Sequence, residues 1–488
     1  RPATEPMPAV SFPTYHTFSL DNGLKVFLVP DRRPLVTMRL LLRGGSSLDG
    51  QRPGQAEFMA DLMTKGTSSL DAGAFASEID FVGGSIGASA GVDNVVVSAS
   101  GLRSKIDQIA GLFADVIKNP VFDPGELAKY KSLQIEGLKA AKQETGFLAE
   151  TAMNIVLYGR SSPLAAVPTE ELVNAIGRDD LVACHNELIM PNNATLAVVG
   201  NFTVDELRSL LEKNLGDWKP GAKAPRTSIT VRRMSGNRII LIDRPTSVQS
   251  VIRILSPGPL PIDADRPRSI LLANILGGGT GLGNRLTMNL RETHGWTYSP
   301  YSYFTANSFS GHHLAAADVT NTATDSAVVE MIAEMGRLAS EPIDAKELEI
   351  NVKSAVGSYV MSLARPDATA RRVQSIDFHH MPSDYYDRLV STYNTTTAKD
   401  LADLAAKYYR KNDMVIVVVG KASQIKEGLE RIGNVEVWDE NFEKIESEGA
   451  ASLSVTADEV WANMLDAMGG KENLRAINSL SARGQGTL

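Results

Sequence analysis

At 488 residues the chain is too long for one ordinary domain, and a 43% share of hydrophobic residues suffices to bury more than one core. A net charge of −8 with no basic cluster excludes charge-driven nucleic-acid binding, and no apolar run approaches the ~20 residues of a membrane-spanning helix. The single cysteine, Cys184, excludes an intrachain disulfide and, set in a helical pattern, reads as a small buried hydrophobe.

The first predicted element is a hairpin. Residues 17–20 and 24–29 read as strands around Asp21-Asn22-Gly23, where Asn-Gly supplies the positive φ angles of a tight turn. Next comes a helix within Gly54-Gln55-Ala56-Glu57-Phe58-Met59-Ala60-Asp61-Leu62-Met63-Thr64-Lys65-Gly66-Thr67, on which Glu57 and Asp61 share one face. Strand-like runs at 37–42 and 94–100 alternate with amphipathic helices at 104–118 and 126–143. Residues 194–200 read as a strand closed by glycine, and 203–207 open another helix.

The same grammar recurs at an offset of 220 residues. Asp180-Leu181 pairs with Asp400-Leu401, Asn192 with Asn412, and Val198-Val199-Gly200 with Val418-Val419-Gly420, all without a gap. The copies end at Trp218 and Trp438. The pattern predicts an α+β chain of two duplicated halves, each an antiparallel sheet covered by helices. The expected boundaries are 1–218 for the N-terminal half, 219–236 for a Pro- and Gly-bearing exposed linker, and 237–440 for the C-terminal half. Residues 441–488 read as a second linker and the start of a further domain, with a helix at 456–468. That tail is similar to the opening of small β-rich domains of bacterial envelope proteins.

A second motif lies in the C-terminal half: Asn284-Arg285-Leu286-Thr287-Met288-Asn289-Leu290-Arg291-Glu292-Thr293-His294-Gly295-Trp296-Thr297-Tyr298-Ser299. Together the two motifs resemble the signatures of the insulinase/pitrilysin family of zinc metallopeptidases. That family writes the first as G-x-A-H-F-x-E-H-x-x-x-K-G-T and the second as R-L-x-x-x-L-R-E-x-x-G-x-x-Y-S. The second is intact here. In the first, Glu57 and Asp61 stand where the family has its two zinc-binding histidines, and Ala60 where it has its general-base glutamate.

The resemblance implies a clamshell-like metallopeptidase fold and assigns roles residue by residue. Arg291 and Tyr298 match the pair that binds the substrate backbone and stabilises the developing oxyanion. Glu136, 75 residues after Asp61, matches the region of the third zinc ligand. Two carboxylates at a four-residue spacing suit a hard cation better than zinc, and Ala60 cannot accept a proton, so the general-base step has no owner. Among other candidates, none of the seven histidines has H-x-x-x-H spacing. The run Gly277-Gly278-Gly279-Thr280-Gly281-Leu282-Gly283 lacks the Gly-Lys-Ser/Thr of a phosphate loop and reads as a flexible loop.

Family members that keep the Arg/Tyr pair and lose the zinc motif are commonly one partner of a two-chain peptidase. The expectation is therefore a subunit without zinc, joined to a zinc-bearing homologous subunit and acting on peptides. The alternatives are a non-enzymatic scaffold or peptide-binding protein, and a hydrolase using another metal at Glu57, Asp61 and Glu136. The tail, the lone cysteine and the non-Met start favour a bacterial periplasm over the cytoplasm.

Overall fold

The central strands 194–200 and 415–420 are buried and almost wholly apolar on successive residues rather than on alternate ones, so both faces of each sheet have to be covered. In the computed structural model, which describes residues 10–222, 229–232, 236, 238–279, 283–445 and 464, two six-stranded sheets result. The first contains β1 (His16–Ser19), β2 (Lys25–Pro30), β3 (Leu35–Arg43), β4 (Ser85–Ala90), β5 (Asn94–Leu102) and β6 (Ala194–Gly200), in the order β1-β2-β6-β3-β5-β4. The second contains β7 (Arg238–Asp243), β8 (Gln249–Pro257), β9 (Tyr301–Ala306), β10 (Gly311–Thr320), β11 (Val415–Gly420) and β12 (Asn434–Trp438). Its order is β12-β7-β11-β8-β10-β9.

The sheets are predominantly antiparallel, with parallel pairing of β2 to β6, β7 to β11 and β7 to β12. This mixed character qualifies the antiparallel expectation. A chain that leaves β2 or β7, passes through several helices and returns can enter beside it in the same direction. The duplication also swaps the source of one outer strand. β1 precedes β2 and pairs with it antiparallel, whereas β12 follows β11 and pairs with β7 parallel.

The first hairpin forms where the sequence places it, but with one positive φ instead of two. Gly23 sits at φ 89°, and its N–H donates to the Leu20 carbonyl at 3.0 Å, a turn followed by a glycine bulge. Asn22 uses its side chain instead: Nδ2 donates to the carbonyls of Leu215 (2.7 Å) and Trp218 (3.1 Å). This ties the turn to the end of the first half.

The two faces of each sheet belong to different cores. Val26 and Leu28 of β2 pack with Met38, Leu40 and Phe113, all from the first half. Phe27 and Val29 point the other way and pack against Ala370 and Val373, on the helix Pro366–Phe378 of the second half. The arrangement is reciprocated. Ile416 and Val418 of β11 face second-half helices, while Val415, Val417 and Val419 pack with Leu148, Ala152 and Ile155 on the helix Thr145–Tyr158 of the first half. Each half thus supplies the cover for one face of its neighbour's sheet.

The expected linker is only partly an exposed tether. Asn192 exchanges two hydrogen bonds with Gly221, Ile229 and Val231 pack on the core around the helix Thr145–Tyr158, and the Arg232 N–H donates to the Leu157 carbonyl at 2.8 Å. The chain separates into two compact units at Glu443/Lys444. The helix expected at 456–468 lies outside the described residues except for Met464, as do residues 280–282 of the glycine-rich run. Among the described residues no helix is long and apolar enough to cross a membrane.

Gln374 is the polar bolt of the reciprocal packing. With no exposed surface, its Nε2 donates to the carbonyls of Arg39 and Thr195, both at 2.8 Å, and its Oε1 accepts from Arg39 Nη1 at 2.6 Å. Gln374→Leu would strand a guanidinium N–H and two carbonyls, which costs about 1–3 kcal/mol per buried group. Urea denaturation of the variant is expected to show a loss of about 3 kcal/mol or more. A change below about 0.5 kcal/mol would mean that water replaces the lost partner.

Candidate functional site

The first half-site is set by a cap. Gly54 takes φ 91°, a left-handed conformation, and opens the helix Gln55–Leu62. The buried Asp49 carboxylate accepts from the N–H groups of Gly54 (2.7 Å) and Ala56 (2.9 Å), satisfying donors that the first turn leaves without helical partners. Burial, aided by the charge of Glu57, pushes the Asp49 carboxyl up to about 7. Cys184, on the adjacent helix Arg178–Leu188, is buried as expected, and its thiol is pushed up to about 12 by burial.

On this helix Glu57 presents an exposed side chain, while desolvation by the surrounding protein and then the charge of Asp61 raise its carboxyl. Asp61 is engaged: the Tyr130 hydroxyl donates to its Oδ2, and the Tyr130 ring meets Phe58 edge-on at 4.8 Å. Burial, and then the hydrogen bond to Asp61, raise the phenol far above its ordinary range. Ala60 has no exposed surface and belongs to the core. The position of the family's general base is therefore closed as well as chemically empty.

The expected convergence of Glu57, Asp61 and Glu136 is not found. On the helix Pro124–Ala141, Glu136 has a 72% exposed side chain and pairs with Lys139 at 2.9 Å. The residue of this helix that reaches Asp61 is Tyr130, six residues earlier and on a different face from Glu136. Among the described residues no three His, Cys, Asp or Glu groups are placed to hold a metal ion. With one carboxylate occupied by a phenol and the third acid pointing into solvent, these donors do not fit zinc. Sequence reasoning misses Tyr130 because a hydrogen bond spanning 69 residues has no local signature.

The second motif builds a rigid platform. Residues Thr287–Thr293 form a π-helical segment, a rare geometry frequently found at functional sites. Leu286 and Leu290 are fully buried beneath it. Arg285 makes a two-pronged ion pair with Glu347 at 3.0 and 2.9 Å, and Asn289 donates to Glu330 and Glu334, both at 2.8 Å. On this base Arg291 and Tyr298 come together. The guanidinium lies 4.6 Å from the Tyr298 ring centre and 3.3 Å from Glu292, and Tyr298 is 77% exposed. No described hydrogen bond or ion pair joins this pair to Glu57 or Asp61.

Two mixed sheets, a capped helix without histidines and a stacked Arg/Tyr pair with its phenol exposed define a peptidase-like protein with a degenerate metal half-site. The description "Insulinase (Peptidase family M16)" matches residues 25–161, and "Peptidase M16 inactive domain" matches residues 175–354. The chain belongs to peptidase family M16, the insulinase family. It is 21% identical over 415 residues to the non-peptidase homolog YmxG of Helicobacter pylori, covering 83% of this chain and 94% of that one. It is 23% identical over 472 residues to the alpha subunit of the bovine mitochondrial-processing peptidase, covering 87% of each. The peptidase M16 inactive domain of Pseudomonas fluorescens superposes with a TM-score of 0.78 at 26% identity, covering 83% of this chain and 98% of that one.

The cap makes stability depend on pH. The fold raises the Asp49 carboxyl from its ordinary 3.8 to about 7, so between those values the folded chain keeps a proton that the unfolded chain has released. The stabilisation is complete below about pH 4 and is lost as pH rises through about 7. Asp49→Asn keeps one acceptor for the cap and removes the titration. Thermal midpoints measured from pH 4 to 8 are expected to fall less steeply for this variant, and parallel curves would refute the assignment.

Proposed function

We propose that this chain is the subunit without zinc of a two-chain metallopeptidase that cleaves peptides or unfolded proteins. In this reading Arg291 and Tyr298 serve a zinc centre held by a homologous partner subunit. The carrying observation is the contrast between the half-sites. The metal helix has lost every catalytic side chain, whereas the Arg/Tyr pair is complete, with Tyr298 exposed, Arg291 half-buried and the Arg285–Glu347 ion pair in the same segment. The bovine relative supports the reading, being by name one subunit of a processing peptidase.

The chemistry of the pair suits the role. A permanently charged guanidinium and a phenolic hydroxyl can both donate to a substrate carbonyl oxygen, and their hydrogen bonds strengthen as negative charge gathers there. Stacking of Arg291 on the Tyr298 ring orients both groups without using the hydroxyl. A second reading, a scaffold or peptide-holding protein, is favoured by the name of the H. pylori relative, a non-peptidase homolog. A periplasmic setting belongs to the proposal and rests on the envelope-like tail.

Mixing decides between the readings. The purified chain alone should retain no stoichiometric zinc after dialysis against trace metal and should not cleave casein. Combined with a zinc-bearing M16 chain from the same genome, it should confer casein cleavage that neither shows alone. Within that complex Arg291→Ala or Tyr298→Phe should lower turnover by roughly 10²–10³, the loss typical of one oxyanion donor, with assembly intact by gel filtration. Unchanged turnover in both variants would hand the lead to the scaffold reading.

A further inference from the structure

The duplicated order of elements gives the degenerate metal half-site a counterpart in the second half. In the first half the helices Gln55–Leu62 and Pro124–Ala141 carry Asp61 and Tyr130. The helices at the same places in the second half are Arg266–Leu276, which follows β8 as Gln55–Leu62 follows β3, and Ala345–Leu363. Between this second pair, and closed by the helices Pro366–Phe378 and Tyr385–Thr395, lies a cavity of about 550 Å³.

Its lining is the reverse of an acidic site. Arg266 and Arg372 contribute to the wall with Asn274, Tyr385, Tyr386 and Tyr393, and no lining residue is an aspartate or glutamate. Arg266 is incompletely satisfied: Nη2 donates to the Phe304 carbonyl at a long 3.3 Å, and the buried Nη1 has no hydrogen-bond partner. Burial depresses its pKa, and the phenols nearest it, at Tyr385, Tyr386 and Tyr393, are pushed up by burial and stay neutral near pH 7. Arg372 donates to Ser362 Oγ at 2.6 Å and lies over the rings of Tyr359 (5.2 Å) and Tyr386 (5.8 Å). Two half-buried guanidinium groups without a carboxylate beside them form an uncompensated positive site, and burying such charge is costly unless an anion answers it.

We propose that this cavity binds an organic oxyanion, a carboxylate or phosphate group, between Arg266 and Arg372, with the attached carbon skeleton against the tyrosine rings. Each guanidinium group lines the cavity and can donate to the oxygens of an oxyanion held there, and tyrosine edges with their hydroxyls accommodate a partly apolar group. The volume lies within the range of ordinary ligand pockets and exceeds what a bare inorganic ion fills. A peptide end and a phosphate monoester offer the same recognition chemistry. The pocket is independent of whether Arg291 and Tyr298 serve a partner's zinc.

Calorimetric titration of the full chain tests the pocket with three probes: acetyl-Ala-Ala-Phe bearing a free carboxylate, the same peptide as its C-terminal amide, and phenyl phosphate. The acid or the phosphate should bind roughly ten-fold or more tightly than the amide, as loss of a charge-assisted pair requires. The tighter of the two identifies the source of the oxyanion. Arg266→Gln and Arg372→Gln should each weaken the preferred probe roughly ten-fold, and Arg372→Lys should recover part of that loss. Should the Gln variants fail to fold, the acid-to-amide ratio on the unaltered chain still decides. Equal binding of acid and amide, no binding of any probe, or undiminished binding by folded Gln variants would overturn the proposal.

Discussion

Double-sided burial of the central strands is the constraint on which the rest of the structure depends. Apart from Lys25 and Thr195, β2, β6 and β11 are apolar on both faces, and each half has helices on only one face of its own sheet. The other face is closed by a helix borrowed from the opposite half, Pro366–Phe378 on the first sheet and Thr145–Tyr158 on the second. Neither sheet can then bury its strands alone, and the halves are folding partners more than beads on a string. Gln374 adds direction to this apolar exchange, because its four hydrogen bonds accept one angular placement of the helix over β3 and β6.

The same scaffold carries three chemically different helix pairs or platforms. Where the family holds zinc, the first half keeps the backbone device, Gly54 capped by Asp49, and fills the metal position with a carboxylate–phenol hydrogen bond. At the equivalent place the second half has arginines and tyrosines around a cavity. Beside it, the π-helical segment Thr287–Thr293 presents Arg291 and Tyr298 to solvent. Loss of the metal ligands cost the helix none of its packing, since Ala56, Phe58, Met59, Ala60 and Leu62 remain in the core. This separation between the buried and functional faces of one helix explains how a peptidase fold outlives its chemistry.

Electrostatics reinforces the division. Ionic contacts that brace the structure are two-pronged or partly buried, such as Arg285 with Glu347 and Arg238 with Glu436. Arg266 and Arg372, both lining one cavity, have only neutral hydrogen-bond partners. Buried His313, its pKa pushed down to about 3 by burial, hydrogen-bonds Ser302 Oγ at 2.7 Å and lies tilted between the rings of Phe304 and Tyr409, so it serves packing.

By itself the sequence determined what local pattern can encode. The hairpin at Asp21-Asn22-Gly23, the repeated strand-glycine-helix units ending at Trp218 and Trp438, the absent zinc ligands and the intact Arg291/Tyr298 motif are legible because each depends on periodicity, turn chemistry or a short spacing. Tertiary structure decided whatever depends on which face meets which neighbour. Glu136 shares the helix Pro124–Ala141 with Tyr130, yet helical phase turns it to Lys139 and brings Tyr130 to the Asp61 carboxylate instead. The crossing of helices between halves, the parallel pairing of β12 with β7 and the arginine cavity likewise join residues more than a hundred positions apart. Such contacts are selected by the burial of both sheet faces at once, a requirement that no single segment of the chain expresses.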